Sequence, residues 1–236
     1  MVLVLTWFAL LGVALAGPQE DLSLASSKTA SEADRMAAFE RLVALGATDM
    51  DLVSRVSQDD AADARQRWVA VRSLGQIKGD RSRSILIGLV SDPMPAIRAA
   101  AAAAMGDYGH SDFVPYLVNL IQDPAVIVRA SAAQALSQAG DQRAVEVLTV
   151  ALEDKSNTFR GKSVWVRKYF VEALGSIGSS KAYPALLRAL DDEDESVVAQ
   201  AIPALEKVAG FSYSEGRTAK QEREAWRRFV TNELRR

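Results

Sequence analysis

The sequence predicts an all-α fold, a right-handed α-solenoid of about five to six two-helix repeats closed by a C-terminal capping helix. Three observations predict it. The pattern Arg-x-x-Ala-x-x-x-Leu-(x)₃-Gly occurs as Arg35, Ala38, Leu42, Gly46 and returns along most of the chain. The Arg positions 35, 67, 98, 129 and 167, with Val198 in the sixth copy, are spaced 32, 31, 31, 38 and 31 residues apart. A period near 31 with one seven-residue insertion is the signature of a stacked repeat, in which each unit buries its apolar face against the next. Between these landmarks, apolar residues fall at helical spacing, as in Val114, Leu117, Leu120 and Ile121 or Leu186, Leu187 and Leu190. With 49% apolar and 25% charged residues, the composition is that of a folded globular chain.

The elements follow in order. Residues 1–16, MVLVLTWFALLGVALA, carry no charge and end in Ala14-Leu15-Ala16, a small-x-small cleavage pattern. At sixteen residues the run is short for a membrane span of ~20, so an export signal is expected; a retained anchor or a buried helix is the alternative. Residues 17–33 are polar and Ser/Ala-rich and read as a linker. Ser31-x-x-Asp34 opens the repeat domain, expected over 34–210, as a capping box. The second copy is Arg67, Ala70, Leu74, with Gly79 one place late; the third is Arg98, Ala101, Met105, Gly109. Arg129, Ala132, Leu136, Gly140 and then Arg167, Phe170, Leu174, Gly178 follow, with Val198, Ala201, Leu205, Gly210 as a degenerate sixth. Asp92, Asp123 and Asp192 each stand six residues before the Arg position, and Pro115 and Pro184 stand eight before Asp123 and Asp192. Each period is therefore two helices joined by a tight Asp turn and closed by a C′ glycine. Small residues three places after the Arg allow close helix approach. Residues 211–236 end in an amphipathic helix, with Trp226, Phe229, Val230 and Leu234 at i, i+3, i+4 and i+8. Such a helix covers the apolar flank that a terminal repeat would expose.

These residues resemble HEAT repeats, and specifically the shorter PBS-lyase HEAT-like, armadillo-type helical family. In that family the turn Asp and the Arg opening the second helix form a ladder between units. The resemblance implies that Asp92/Arg98, Asp123/Arg129 and Asp192 belong to such a ladder, broken at Val198. It covers 35–210.

Composition removes most chemistry. No Cys excludes thiol nucleophiles, disulfides, thiolate zinc and iron–sulfur ligation. One His, His110, excludes multi-His metal sites and the paired His-Glu motifs of the dinuclear-iron hydroxylases built on these repeats. A formal net charge of −2 argues against a nucleic-acid partner. The run Asp191–Glu195 reads as a helix cap rather than a cation loop, which would alternate ligands around a Gly turn.

What remains is a binding surface. Second helices line the inner face of such solenoids, so equal offsets from the Arg form columns. One place on are Trp68, Ala99, Ala130, Lys168 and Ala199; five on are Arg72, Ala103, Gln134, Glu172 and Pro203. The unbroken Ala99–Ala104 either offers a smooth track to a partner segment or merely fills helix positions. The insertion, residues 155–168, carries Lys155, Arg160, Lys162, Arg167 and Lys168 with no acid, plus Phe159 and Trp165. Arg and Trp concentrate in interface hot spots, although Trp165 also extends an apolar stretch matching Val126–Val128 and is equally readable as core. Arg160, Lys162, Trp165, Lys168, Trp68, Arg72 and Glu172 are the candidate contacts. The expectation is an exported, non-enzymatic adaptor that needs no cofactor or metal and binds an envelope protein, with no membrane span after cleavage. The alternative is a lyase-like or accessory protein acting on a chromophore- or cofactor-bearing protein.

Overall fold

The computed structural model describes residues 17–46, 48–159 and 162–236, with the backbone alone at 159, 162 and 163. The expected export signal, 1–16, lies outside the described residues. Thirteen α-helices are described: α1 (Pro18–Ala25), α2 (Glu32–Gly46), α3 (Asp51–Gln58), α4 (Ala64–Ile77), α5 (Gly79–Leu89), α6 (Pro95–Tyr108), α7 (Val114–Leu120), α8 (Val126–Ala139), α9 (Val145–Glu153), α10 (Arg167–Ile177), α11 (Tyr183–Ala189), α12 (Glu195–Ala209) and α13 (Ala219–Glu233). Each odd helix from α1 to α11 packs on the even one that follows it, and the even helices pack on one another in sequence from α2 to α12. The core lies between these two layers, with one leucine or valine column, Leu22, Val53, Leu86, Leu117, Leu148 and Leu186, buried throughout.

That column corrects the reading of 17–33 as a linker. Residues 18–25 form the first helix of the first repeat. Gly17 caps it, Pro18 stands in its first turn, and the Glu20 side chain accepts from the Gly17 N–H at 3.0 Å. Leu22 is fully buried, and buried Asp21 accepts from Arg41 Nε and Nη2 at 2.8 and 2.6 Å. The described residues therefore form six helix pairs, the first starting sixteen residues before the expected position 34 (34 − 18).

Second helices end as the glycines dictate. Gly109, Gly140, Gly178 and Gly210 sit at φ between 63° and 77°, a region that costs a side chain strain. In α4, where the glycine comes one place late, Lys78 itself takes φ 62° and ψ −164°. That conformation is essentially glycine's own.

The repeats are tied by a forward ladder. Arg98 donates from Nε and Nη2 to both carboxylate oxygens of Asp123 at 2.7 and 2.8 Å, and Arg167 does the same to Asp192 with Nη1 and Nη2 at 2.9 and 2.5 Å. Arg67 reaches Asp92 at 2.5 Å. Each Arg thus bonds the Asp that stands 25 residues later, in the next repeat. The same Asp closes its own turn, Asp123 Oδ1 accepting from the Ala125 N–H at 2.8 Å. Within a repeat the Arg also holds the backbone of its own turn, Arg98 Nη1 to Asp92 O at 2.8 Å and Arg129 Nη1 to Asp123 O at 2.6 Å. At Arg129 the forward rung is missing. Its counterpart Asp154 instead accepts from the Ser156 N–H at 2.7 Å, where the insertion begins.

The C-terminal helix α13 packs on α11 and α12. Trp226 is fully enclosed, stacked on Phe211 at 5.3 Å and met edge-on by Tyr213 and Phe229. Among the described residues no helix is long and apolar enough to cross a membrane.

Replacing Lys78 with Gly removes the strained side chain and is expected to stabilise the fold by about 1 kcal/mol, raising Tm by ~2–4 °C in thermal denaturation. Arg98→Met leaves Asp123 largely buried without its partner and is expected to cost about 3–5 kcal/mol in urea unfolding. Arg129→Met breaks only bonds to carbonyls and should cost about 1–3 kcal/mol. Burial opposes ionisation of Asp123, but the Arg98 hydrogen bonds, the Ala125 N–H and the charges of Arg98 and Arg129 outweigh it and hold its carboxyl below the usual range. Its stabilising contribution is therefore complete above the unfolded carboxylate value near ~4 and is lost as pH falls through the lower folded value. The Arg98→Met variant should show a shallower loss of stability on acidification than the parent.

Candidate functional site

The exposed face of the even helices is set by how closely those helices approach. A Cβ on Gly75 would lie 2.4 Å from the Ala104 carbonyl oxygen, and one on Gly175 would lie 2.5 Å from Ala204 Cα. Ala99, Ala100, Ala101, Ala102 and Ala104 are buried, as is Ala130. The alanine run therefore serves helix packing, and the column one place after the Arg is not the smooth open track that was one of its two readings. The column five places on is the open one.

There Arg72, Ala103, Gln134 and Glu172, from α4, α6, α8 and α10, line a single trough of about 280 Å³ with Asp107, Ser131 and Gln138. At one end Arg72 Nη2 lies 2.7 Å from Asp107 Oδ2 as an ion pair, without hydrogen-bond alignment. The Arg72 guanidinium also stands 6.0 Å from the centre of the Trp68 ring. Amide and hydroxyl groups occupy the middle, and the Glu172 carboxylate closes the far end. Neutral donors and acceptors between an ion pair and a carboxylate can hydrogen-bond a polypeptide backbone and favour a basic side chain at the carboxylate end.

Trp68, 45% exposed, also borders a cleft of about 630 Å³ lined by Lys28, Arg35, Arg65 and Ala96. Arg65 Nε donates to Ser26 O at 2.7 Å, fixing this cleft to the turn after α1.

The insertion is a short turn at 155–157 and a two-residue antiparallel hairpin, Thr158–Phe159 with Lys162–Ser163. It is pinned from within: buried Asn157 donates from Nδ2 to Ala151 O at 2.9 Å and accepts the Val164 N–H at 2.8 Å. Of the two readings of Trp165, the structure supports the exposed one. Its indole is 47% exposed, edge-on to Tyr169 at 5.8 Å, while the next residue, Val166, is fully buried. Exposed Ile127 and buried Val128 take the same places one repeat earlier. Lys168 Nζ lies 5.0 Å over the Tyr169 ring. Lys168 and Glu172 stand one turn apart on α10, joining this group to the trough's end. Arg160 and the side chain of Lys162 lie outside the described residues.

Sequence reasoning missed the column nine places after the Arg: Gln76, Asp107, Gln138, Ser176 and Lys207. It is polar throughout and lies one turn from the fifth-place column, a spacing that was available to find it. His110 Nδ1 accepts the Asp112 N–H at 3.2 Å and caps a turn. In the acidic run, Asp192 is a ladder rung and Asp194 caps α12, accepting from the Ser196 N–H at 2.8 Å. Among the described residues no cluster of three or more potential metal ligands occurs.

A family model described as HEAT repeats matches residues 50–137, 86–166 and 157–217. No curated protein matches the sequence. Among solved structures, an engineered protein is 20% identical, with 82% of this chain and 89% of that chain covered at a TM-score of 0.54. Computationally designed armadillo repeat proteins for modular peptide recognition are 19% identical, covering 79% and 92%, at 0.48. The complex of CpcE and CpcF of phycocyanin lyase from Nostoc sp. PCC7120 is 17% identical, covering 98% of each chain, at 0.36. At these identities the first likeness concerns the fold alone.

Proposed function

The chain belongs to the HEAT-repeat family, and from that premise we propose that it works as an exported adaptor that binds a segment of an envelope protein and performs no chemistry of its own. The observation that carries this reading is the trough across α4, α6, α8 and α10. Four consecutive repeats present Arg72, Ala103, Gln134 and Glu172 to one lane, which an extended segment running across the helices would follow. A pairing of Arg72 with Asp107 at one end and, at the other, a carboxylate with no ion pair among the described residues give the lane a direction, favouring a segment with a basic group near Glu172. Trp68 supplies an exposed aromatic anchor beside Arg72. The insertion group of Trp165 and Lys168 extends the contact at the α10 end.

Export rests on the apolar run 1–16 and its Ala14-Leu15-Ala16 ending. A cut after Ala16 leaves Gly17, the cap of α1, and every described helix in the mature chain.

Ala103→Arg with Gln134→Arg fills the trough from exposed or half-buried positions and should leave the thermal transition within ~2 °C of the parent. Used as bait in a native envelope extract, the parent is expected to enrich a protein that this double variant loses. Equal enrichment by both would remove the trough from the interface. Intact-mass measurement of the protein recovered from an envelope fraction is expected to show a chain starting at Gly17. A mass that includes residues 1–16 would instead support a tethered scaffold.

A further inference from the structure

Arg129 is an arginine placed for a carboxylate that its own fold does not provide. Its setting is the same as that of Arg98 one repeat earlier. Both donate from Nη1 to the carbonyls of the turn Asp and Pro: Arg98 to Asp92 and Pro93 at 2.8 and 3.4 Å, Arg129 to Asp123 and Pro124 at 2.6 and 3.1 Å. They differ in the other two nitrogens. The Nε and Nη2 of Arg98 hold both oxygens of Asp123. The Nε and Nη2 of Arg129 make no hydrogen bond or ion pair among the described residues, and Nε is fully enclosed. Arg129 is 5% exposed. A buried guanidinium without its anion is costly, and Nη2, the nitrogen that is neither enclosed nor bonded, is the one left to receive a carboxylate.

Arg129 lines a cavity of about 570 Å³ at the edge of the solenoid, between the turn before α8 and the start of the insertion. The cavity's apolar wall is Val126, Val147 and Val150, the last 59% exposed. Two carboxylates also line it, and both are committed elsewhere. Asp123 is held by Arg98 and the Ala125 N–H. Asp154, 25 residues after Arg129 and so the expected rung, is held by the Ser156 N–H, and its carboxyl lies below the usual range through the Ser156 hydrogen bonds first, with the Arg129 charge contributing least. The inserted turn at 155–157 thus takes the rung's carboxylate away from the arginine.

We propose that this cavity receives an acidic side chain of a bound polypeptide, Asp or Glu, whose carboxylate takes the N–H groups of Arg129 Nη2 while a flanking apolar side chain lies on Val126, Val147 and Val150. This deepens the adaptor reading but uses a different surface from the trough, so the two fail separately. The apolar side chain of the ligand, lying on the valines, shields the pair from water, which strengthens it.

The test follows the arginine Nε–H signals of the ¹⁵N-labelled protein by NMR during titration with a blocked tripeptide, acetyl-Leu-Asp-Val-amide. Its Asn counterpart and sodium acetate are the controls. The Arg129 Nε signal is expected to shift saturably with the Asp peptide and at least tenfold more weakly with the Asn peptide. Acetate should bind at least tenfold more weakly than the Asp peptide, for want of the apolar contact. Val150→Asp, at an exposed position that leaves the fold intact, should weaken the Asp peptide at least tenfold. Equal response to the Asp and Asn peptides overturns the proposal, as does the absence of any shift in a protein with a native amide spectrum. Acetate binding as tightly as the peptide overturns the polypeptide assignment. An Arg129 shift produced by Asp154→Asn alone, without peptide response, shows that Asp154 closes the rung itself and also overturns it.

Discussion

The structure depends on one repeated bond, made at Arg67, Arg98 and Arg167, from an arginine near the start of a second helix to an aspartate 25 residues ahead. The bond does two things because the aspartate does two things. One carboxylate oxygen accepts an N–H two residues on and so shapes the turn, as at Asp123 and Ala125. The carboxylate also receives the guanidinium of the preceding repeat, which fixes the next pair of helices relative to the last. The charges are largely buried, so the geometry is paid for by desolvation and holds only when both partners are present. Its consequence is register: equal offsets on successive second helices come to lie side by side, and four residues separated by 31, 31 and 38 positions (72, 103, 134 and 172) line one trough.

Close packing supplies the rest. The glycines at 75 and 175 and the alanines between 99 and 104 bring the second helices near enough that their flanks disappear from the surface. What stays open is then a narrow set of positions, polar throughout at the ninth place after the arginine and, Ala103 and Pro203 apart, at the fifth. At Arg129 the seven-residue insertion interrupts the ladder. Asp154 starts the inserted turn instead of meeting the arginine, and the hairpin is anchored by Asn157 to the end of α9. Trp165 outside and Val166 inside keep the pattern of Ile127 and Val128 one repeat earlier, so the loop changes the bonding between repeats four and five while the in–out register of the chain that follows is kept.

The repeat layer was legible because its signals are periodic. Arg, Ala, Leu and Gly recur in a fixed register, and each position has one physical job. The first helix of the first repeat was not, because PQEDLSLA offers a single deep anchor, Leu22, among polar residues, and its ion pair with Arg41 spans 20 residues. A count of one period back from Val53 would have found it. In the site, the offset rule located Arg72, Gln134 and Glu172, but it could not tell that Ala99 and Ala130 were buried, since helix separation is decided by neighbouring glycines. The ladder was implied by resemblance as a relation of Asp to Arg; its forward direction, and its failure at Arg129, are three-dimensional facts.

The missing rung offers the most direct test of the claim that the ladder sets the coupling between repeats. Native-state hydrogen exchange, read by mass spectrometry in rising sub-denaturing urea, reports the opening of each helix separately. If the ladder governs coupling, the helices from α10 to α13 open together at lower urea than α4 to α8, with the break at the α8–α10 junction. Opening of the whole solenoid as one unit, or a first break between α6 and α8 where the Arg98–Asp123 rung is complete, would contradict it.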